Sequence, residues 1–262
     1  LYVRNPMNIH QVSRINLSPN VIDCIVFWSK NPKPMLHRLD ELKDYMYYFQ
    51  FTINPYDTNL EECVPTKSRI IDMFKELSNK IGPERVIWRY DPIILTDTLT
   101  MEYHVKYFEE LAKRLEGLTK TCVISFVDLY KKTERNLKGS TARELSQSEM
   151  LKLATHLALI AKRYGITIQS CAEKIELASI GIQHGHCIDN VLIEDLLGVK
   201  LVVAKDKNQR PECGCVQSID VGEYNTCKHL CKYCYANFNA HKVREKIMKH
   251  NPESPFLIGE VM

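Results

Sequence analysis

Five short runs of apolar and β-branched residues recur along the chain, with longer amphipathic stretches between them. They are Asp23–Trp28, Tyr47–Ile53, Arg85–Tyr90, Thr121–Val127 and Ile166–Cys171, with Leu201–Ala204 as a weaker sixth. Nearly continuous hydrophobicity is what a strand shows when both its faces are covered, as in a parallel sheet. The spacing predicts helices near Pro34–Met46, Thr66–Ile81, Thr100–Leu115, Ser146–Tyr164 and Ile188–Leu197. Ser146 with Glu149 fits a capping box at the start of the fourth. Gly82, Gly117, Gly165 and Gly198 each stand just past a helix, where a glycine ends it and turns the chain toward the next strand. The pattern predicts an α/β fold of βα units around a parallel sheet: a (β/α) barrel, TIM-like or partial.

At 262 residues the chain can bury one barrel-sized core. Residues 1–205 read as the barrel repeats, and 206–262 as a cysteine-rich segment completing the same barrel. No apolar run approaches the roughly 18–20 residues of a membrane span. A net charge of +3 gives no argument for nucleic acid. The ten cysteines say more, because seven of them fall between Cys171 and Cys234. Without secretory features, such clustering points to a cytoplasmic protein with reduced thiols that bind metal rather than pair as disulfides.

Three of these cysteines read Cys227-x3-Cys231-x2-Cys234, with Tyr233 before the last and a predicted strand, Ser218–Val221, upstream. Zinc sites commonly use separated cysteine pairs. Three thiolates packed this closely suit one face of a 4Fe-4S cluster and leave its fourth iron without a protein ligand. Cys171, Cys187, Cys213 and Cys215 are a second candidate group, for another 4Fe-4S cluster or for zinc, with His184 and His186 as spare ligands. The plainer alternative is a core cysteine at a strand end and an incidental pair. Cys24 and Cys122 read as small core hydrophobes, and Cys63 is given no role.

Parallel sheets bind ligands at the carboxyl ends of their strands. There the chain puts Ser29-Lys30-Asn31-Pro32, Asn54-Pro55-Tyr56, Arg89-Tyr90-Asp91-Pro92, Asp128 and Cys171-Ala172-Glu173. Any one of them could simply finish a strand; together they make a polar rim and a candidate pocket. Farther on, a helix is predicted from about Tyr235 to His250, with Lys242, Lys246 and Lys249 on one face. That stripe is either a solvated surface or a phosphate-facing one for a nucleic-acid partner.

The stretch Tyr224–Ala236, YNTCKHLCKYCYA, resembles the signature of the radical S-adenosylmethionine (radical SAM) enzymes. Among these it is similar to the proteins labelled DNA repair photolyase, which are spore photoproduct lyase-like. Over nearly its whole length the chain resembles the family of the domain of unknown function 1848. That likeness rests on Arg4-Asn5-Pro6, Phe27-Trp28-Ser29-Lys30-Asn31-Pro32, Trp88-Arg89-Tyr90-Asp91-Pro92, Cys171-Ala172-Glu173 and Cys213-Gly214-Cys215. The resemblance implies that Cys227, Cys231 and Cys234 hold a 4Fe-4S cluster, with SAM on the open iron and Tyr233 against its adenine. Reductive cleavage of SAM would then give a 5′-deoxyadenosyl radical that abstracts a hydrogen from a substrate no motif identifies. The resemblance also implies an electron donor such as ferredoxin or flavodoxin, and a further strand upstream of Leu1.

In such enzymes the cysteine loop follows the first barrel strand. Here it comes late, which implies a permuted barrel with Ser218–Val221 in the first-strand position. Phe256-Leu257-Ile258 would be the next strand, and Gly259 and Glu260 at its end would contact the SAM amino group. Arg89 and Asp91 are the rim residues expected to contact substrate or SAM, with Lys30 and Glu173 behind them and Asp128 as a candidate acid or base. Two alternatives stand beside this reading. One is an iron–sulfur or zinc protein that does not cleave SAM, serving electron transfer, sensing or structure. The other is a repair enzyme acting on nucleic acid.

Overall fold

The computed structural model describes residues 1–5, 8–129, 131–237 and 239–259, so Pro6 and Glu260 lie outside the described residues. The chain opens with an antiparallel pair, β1 (Tyr2–Asn5) and β2 (Asn8–Arg14). All five apolar runs then form strands: β3 (Ile25–Ser29), β4 (Tyr47–Thr52), β5 (Val86–Ile93), β6 (Thr121–Phe126) and β7 (Thr167–Cys171). A short sixth member of the same sheet, β8 (Gln183–Gly185), follows. The connecting and following helices are α1 (Lys67–Ile81), α2 (Met101–Leu115), α3 (Lys131–Asn136), α4 (Gln147–Arg163), α5 (Asn190–Leu197) and α6 (Ala240–Met248).

Strands β3 to β8 form one parallel sheet in strictly consecutive order. Right-handed crossovers between successive neighbours all return over the same face. The packing agrees: α2 lies against both α1 and α4. Phe74 and Leu77 of α1, Phe108 and Leu115 of α2, and Leu153 and Leu157 of α4 share one core with Phe49, Phe51, Trp88, Tyr90, Ile124 and Ile168 of the strands. Side chains alternate along a strand. The intervening residues Tyr48, Ile87 and Val123 therefore face the other way, where Ile193 of α5 packs on them. Also on that second face are Gln50, Arg89, Asp91, Ser125 and Cys171, by the same alternation. One face of the sheet is thus an apolar helix interface, and the other is partly polar.

Helix limits follow local chemistry. Thr100 caps α2 by accepting from the Tyr103 N–H, and Ser146 with Glu149 closes the capping box of α4. Gly198 ends α5 in the left-handed region at φ 70°.

Five expectations fail. Pro34–Met46 is not an α-helix: successive N–H groups bond three residues back (Met35 to Pro32, Arg38 to Met35, Glu41 to Arg38), giving turns and one 3-10 turn at Leu39–Leu42. Pro32 and Pro34, which have no N–H, disfavour a longer ladder. Leu201–Ala204 and Ser218–Val221 form no strand. β-branched composition suits a strand only where a neighbour supplies the hydrogen bonds, and the nearest pairing is the single bridge Lys205–Val216. The expected cluster-binding strand at Ser218 is therefore an irregular approach to the loop. Phe256-Leu257-Ile258 makes one bridge, Phe256 to Tyr2, and so joins the opening hairpin rather than the Ser218 stretch. The helix predicted from Tyr235 starts only at Ala240, where Asn239 caps it.

Candidate functional site

At the carboxyl ends of β4 and β5, polar side chains spend their hydrogen bonds on one another. Asn54, just past β4, donates to the Asp91 carbonyl at 2.8 Å and accepts from the Asp91 N–H at 2.8 Å. Asp91 takes the Arg89 guanidinium on one carboxylate oxygen, with Nε at 2.7 Å, and the Ser125 hydroxyl on the other. Arg89 is almost fully buried. Burial works to raise the Asp91 pKa, but Arg89 and Ser125 outweigh it and hold the carboxyl below its ordinary value. Both charges are thus committed to each other.

The cysteine loop docks on the segment that follows β4. Cys231 bridges Glu61, Lys232 N–H donates to the Leu60 carbonyl at 2.9 Å, and Cys63 N–H to the His229 carbonyl at 3.1 Å. Its tight path needs left-handed backbone at Asn225 (φ 57°) and Leu230 (φ 52°). Asn225 N–H donates to Ala236 at 2.9 Å, across the base of the loop. Tyr233 turns inward, donating its hydroxyl proton to Glu61 and accepting from Asn54 at 3.2 Å, with its ring edge-on to Tyr56.

Glu61 is the anchor. Its side chain is 2% exposed and pairs with both Lys30, at 2.9 Å, and Lys67. Burial pushes its pKa up, yet Lys30, Lys67 and Tyr233 together hold it below the ordinary value. Lys30 also lies over the Tyr233 ring, 5.5 Å from its centre. The three loop thiols are near enough to act on one another electrostatically. Burial pushes Cys231 up to about 12, so as a bare thiol it keeps its proton. Sulfur donors in this number and spacing fit an iron–sulfur cluster with one iron not held by the protein.

The second cysteine group gathers beside Arg89. Arg89 Nη1 donates to Cys187 Sγ at 2.9 Å and to Gln50 at 3.3 Å, and Cys187 Sγ lies 3.2 Å from Cys171 Sγ. The Cys187 carbonyl accepts from the Tyr48 hydroxyl at 2.6 Å and from Gln50 at 3.0 Å. Cys215 Sγ accepts the backbone N–H groups of Cys187 and Ile188 at 3.2 and 3.3 Å, and Cys213 adjoins Cys215. The two cysteine groups are therefore joined by an unbroken series of hydrogen bonds: Tyr233, Asn54, Asp91, Arg89, Cys187. Among the described residues, no three His, Cys, Asp or Glu side chains already surround a common metal position.

The other sequence candidates lie as follows. Glu173 accepts the Phe126 N–H at 2.7 Å, and burial raises its pKa to about 7. Asp128 pairs with Arg210 at 2.7 Å. His184 pairs with Glu176, whereas His186 lies against Gly214. Gly259 sits in a bend at φ 81°, bonded to Ser254 and Lys249 rather than ending a strand. Cys122 is in the helix-side core, as expected, and Cys24 packs partly buried beside the α5 face. Glu61, Lys67, Gln50 and Ser125 are site residues that the sequence reading missed. For Gln50 and Ser125 the signal was there, since each holds an alternate position in an otherwise apolar strand.

No helix among the described residues is long and apolar enough to cross a membrane. No curated protein and no solved structure matches the chain. A family model does, over residues 1–236, and its description is "Domain of unknown function (DUF1848)". The match takes in the whole parallel sheet and the three-cysteine loop, and the chain belongs to this family.

Proposed function

We propose that the chain is an iron–sulfur enzyme of the radical SAM kind, built on an open, singly wound portion of a (β/α) barrel. The observation that carries this reading is the docking of the three-cysteine loop at the carboxyl ends of β4 and β5 through Tyr233, Asn54 and Glu61. That is the edge at which parallel sheets bind ligands. Cys227, Cys231 and Cys234 would hold the 4Fe-4S cluster, which when bound with SAM supplies one-electron cleavage of SAM and hydrogen abstraction from a substrate.

The chain's own residues then have distinct tasks. Glu61 and Lys30 fix the loop against the sheet, and Tyr233 fills the space beneath it. Arg89 and Asp91 neutralise each other, so their role in this reading is to hold the rim rather than to contact a ligand. Glu173, with a pKa near neutrality, is the rim group suited to exchange a proton. A small electron carrier such as ferredoxin or flavodoxin would deliver the electron.

A second reading, a cluster protein that does not cleave SAM, is favoured by one observation. The strand expected to bring Gly259 beside the loop joins β1 instead. A nucleic-acid substrate has less support, because Lys246 of the basic stripe is engaged by Glu223 and the Tyr224 carbonyl.

The test is anaerobic reconstitution with iron and sulfide, followed by reduction with dithionite in the presence of SAM. Formation of 5′-deoxyadenosine, abolished by Cys231→Ala, is expected. A fully loaded protein that forms none would leave the second reading.

A further inference from the structure

We infer that Cys171, Cys187, Cys213 and Cys215 form a separate tetrathiolate site for one thiophilic divalent ion of the zinc class. This inference does not rest on the role of the Cys227 loop.

Three segments distant in sequence bring the four sulfurs together. Cys171 ends β7, paired in register with Gly185 of β8, and Cys187 follows two residues later. Cys213 and Cys215 arrive on a turn held to that region by its backbone. Val216 N–H donates to the Ile188 carbonyl at 3.2 Å, and Asp206 N–H to the Cys215 carbonyl at 2.9 Å. Cys171 Sγ lies 3.2 Å from Cys187 Sγ, Cys215 Sγ accepts the N–H groups of Cys187 and Ile188, and Cys213 stands two residues before Cys215 on the same turn. Gly214, between the last two, is fitted to this approach: a Cβ there would collide with the His186 ring. Cys213 and Cys215 are both buried.

The hydrogen bonds around the sulfurs suit thiolates. Two backbone N–H groups converge on Cys215 Sγ, and a guanidinium donates to Cys187 Sγ at 2.9 Å. A neutral thiol accepts weakly, whereas an anionic sulfur is stabilised by such donors, as metal-bound thiolates are. Several buried thiolates need a further cation, because Arg89's single charge is already committed to Asp91.

Spacing selects the kind of occupant. One zinc ion with Zn–S bonds of about 2.3 Å places tetrahedral sulfurs about 3.8 Å apart. The 3.2 Å between Cys171 and Cys187 is about 0.6 Å inside that figure, so an ion would part the pair slightly, and it is well beyond a bonded disulfide, which has sulfurs about 2 Å apart. A four-iron cluster interposes its own atoms between thiolates and separates them farther than a single ion does. The sulfurs stand as a chain rather than around one point, so the ion would draw the outer members inward.

The test uses the full chain grown with zinc and then measures metal content, sulfide and folding. About one zinc per chain is expected both in the wild type and in a variant with Cys227, Cys231 and Cys234 all changed to Ser. Zinc should fall at least tenfold in Cys213→Ser/Cys215→Ser. Should that variant fail to fold, the chelator-stripped Cys227→Ser/Cys231→Ser/Cys234→Ser variant titrated with zinc alone gives an independent answer, as a saturable loss of four titratable thiols. Cobalt in place of zinc should show thiolate-to-metal charge-transfer absorption. Any of three results would overturn the inference: no zinc in the folded loop variant, iron with equimolar sulfide at this site, or a Cys171–Cys187 disulfide found by mass mapping after thiol blocking.

Discussion

Replacing Glu61 by Gln removes one negative charge from the point where the cysteine loop meets the sheet, while keeping the size of the side chain. In the wild type that carboxylate holds Lys30, Lys67 and the Tyr233 hydroxyl while only 2% exposed. The glutamine leaves two lysines facing each other across a neutral amide. Taking one partner from a buried ion pair costs about 3–5 kcal/mol. Here Lys67 is 29% exposed and Lys30 14%, so solvent recovers part of that loss, and we expect about 3 kcal/mol. In a chain of this size that is a fall in Tm of roughly 6–12 °C. Urea unfolding followed by circular dichroism measures it, with Glu62→Gln as the control, since Glu62 is exposed and should shift stability by no more than about 0.5 kcal/mol. Iron retained after reconstitution should fall in parallel. A loss for Glu61→Gln no larger than the control's would refute Glu61 as the anchor.

Three other outcomes are expected. His104 is fully buried, donating from Nε2 to the Ile94 carbonyl at 2.9 Å and accepting the Tyr90 hydroxyl proton on Nδ1 at 2.8 Å; burial pushes its pKa from the usual 6.5 down to about 4. The folded state therefore resists the proton that the unfolded chain takes up. As pH falls from 6.5 to 4 this residue should cost about 3 kcal/mol of stability, and His104→Phe should flatten the acid limb of the stability–pH curve; an unchanged limb contradicts the assignment. Tyr233→Phe removes one hydrogen-bond partner from each of buried Glu61 and Asn54 and should destabilise by about 1–3 kcal/mol in urea, with a loss under about 0.5 kcal/mol counting against the docking contact. Ser146→Ala removes the cap of α4 and should cost about 1 kcal/mol in the same assay; no measurable change would mean that the end is held by packing alone.

How far the fold could be read depended on whether a segment's structure is set locally. The five apolar strands and the helices α1, α2, α4 and α5 were legible, because continuous apolar runs and capping residues such as Thr100 and Ser146 act within a few residues of themselves. Strand β8 was not, since Gln183-His184-Gly185 is short and polar and owes its conformation to pairing with β7. Ser218–Val221 misled for the converse reason, having strand-like residues and no partner. The rim residues Asn54, Arg89 and Asp91 were found because strand ends are predictable. Glu61 was not, because nothing local separates a buried loop carboxylate from a solvated one; Lys30 and the Tyr233 ring meet it only across the tertiary structure. The grouping of Cys171, Cys187, Cys213 and Cys215 was legible as a candidate metal site, but the contacts that bring them together were not. Its geometry depends on β8 and on the turn carrying Cys213.

The claim that Cys227, Cys231 and Cys234 hold a cluster with one iron open to SAM is tested most directly by electron paramagnetic resonance of the reduced, reconstituted protein. The account predicts a reduced 4Fe-4S signal that changes in shape when SAM is added and is lost in Cys231→Ala. A signal that SAM leaves unchanged, or one that survives loss of Cys231, would contradict it.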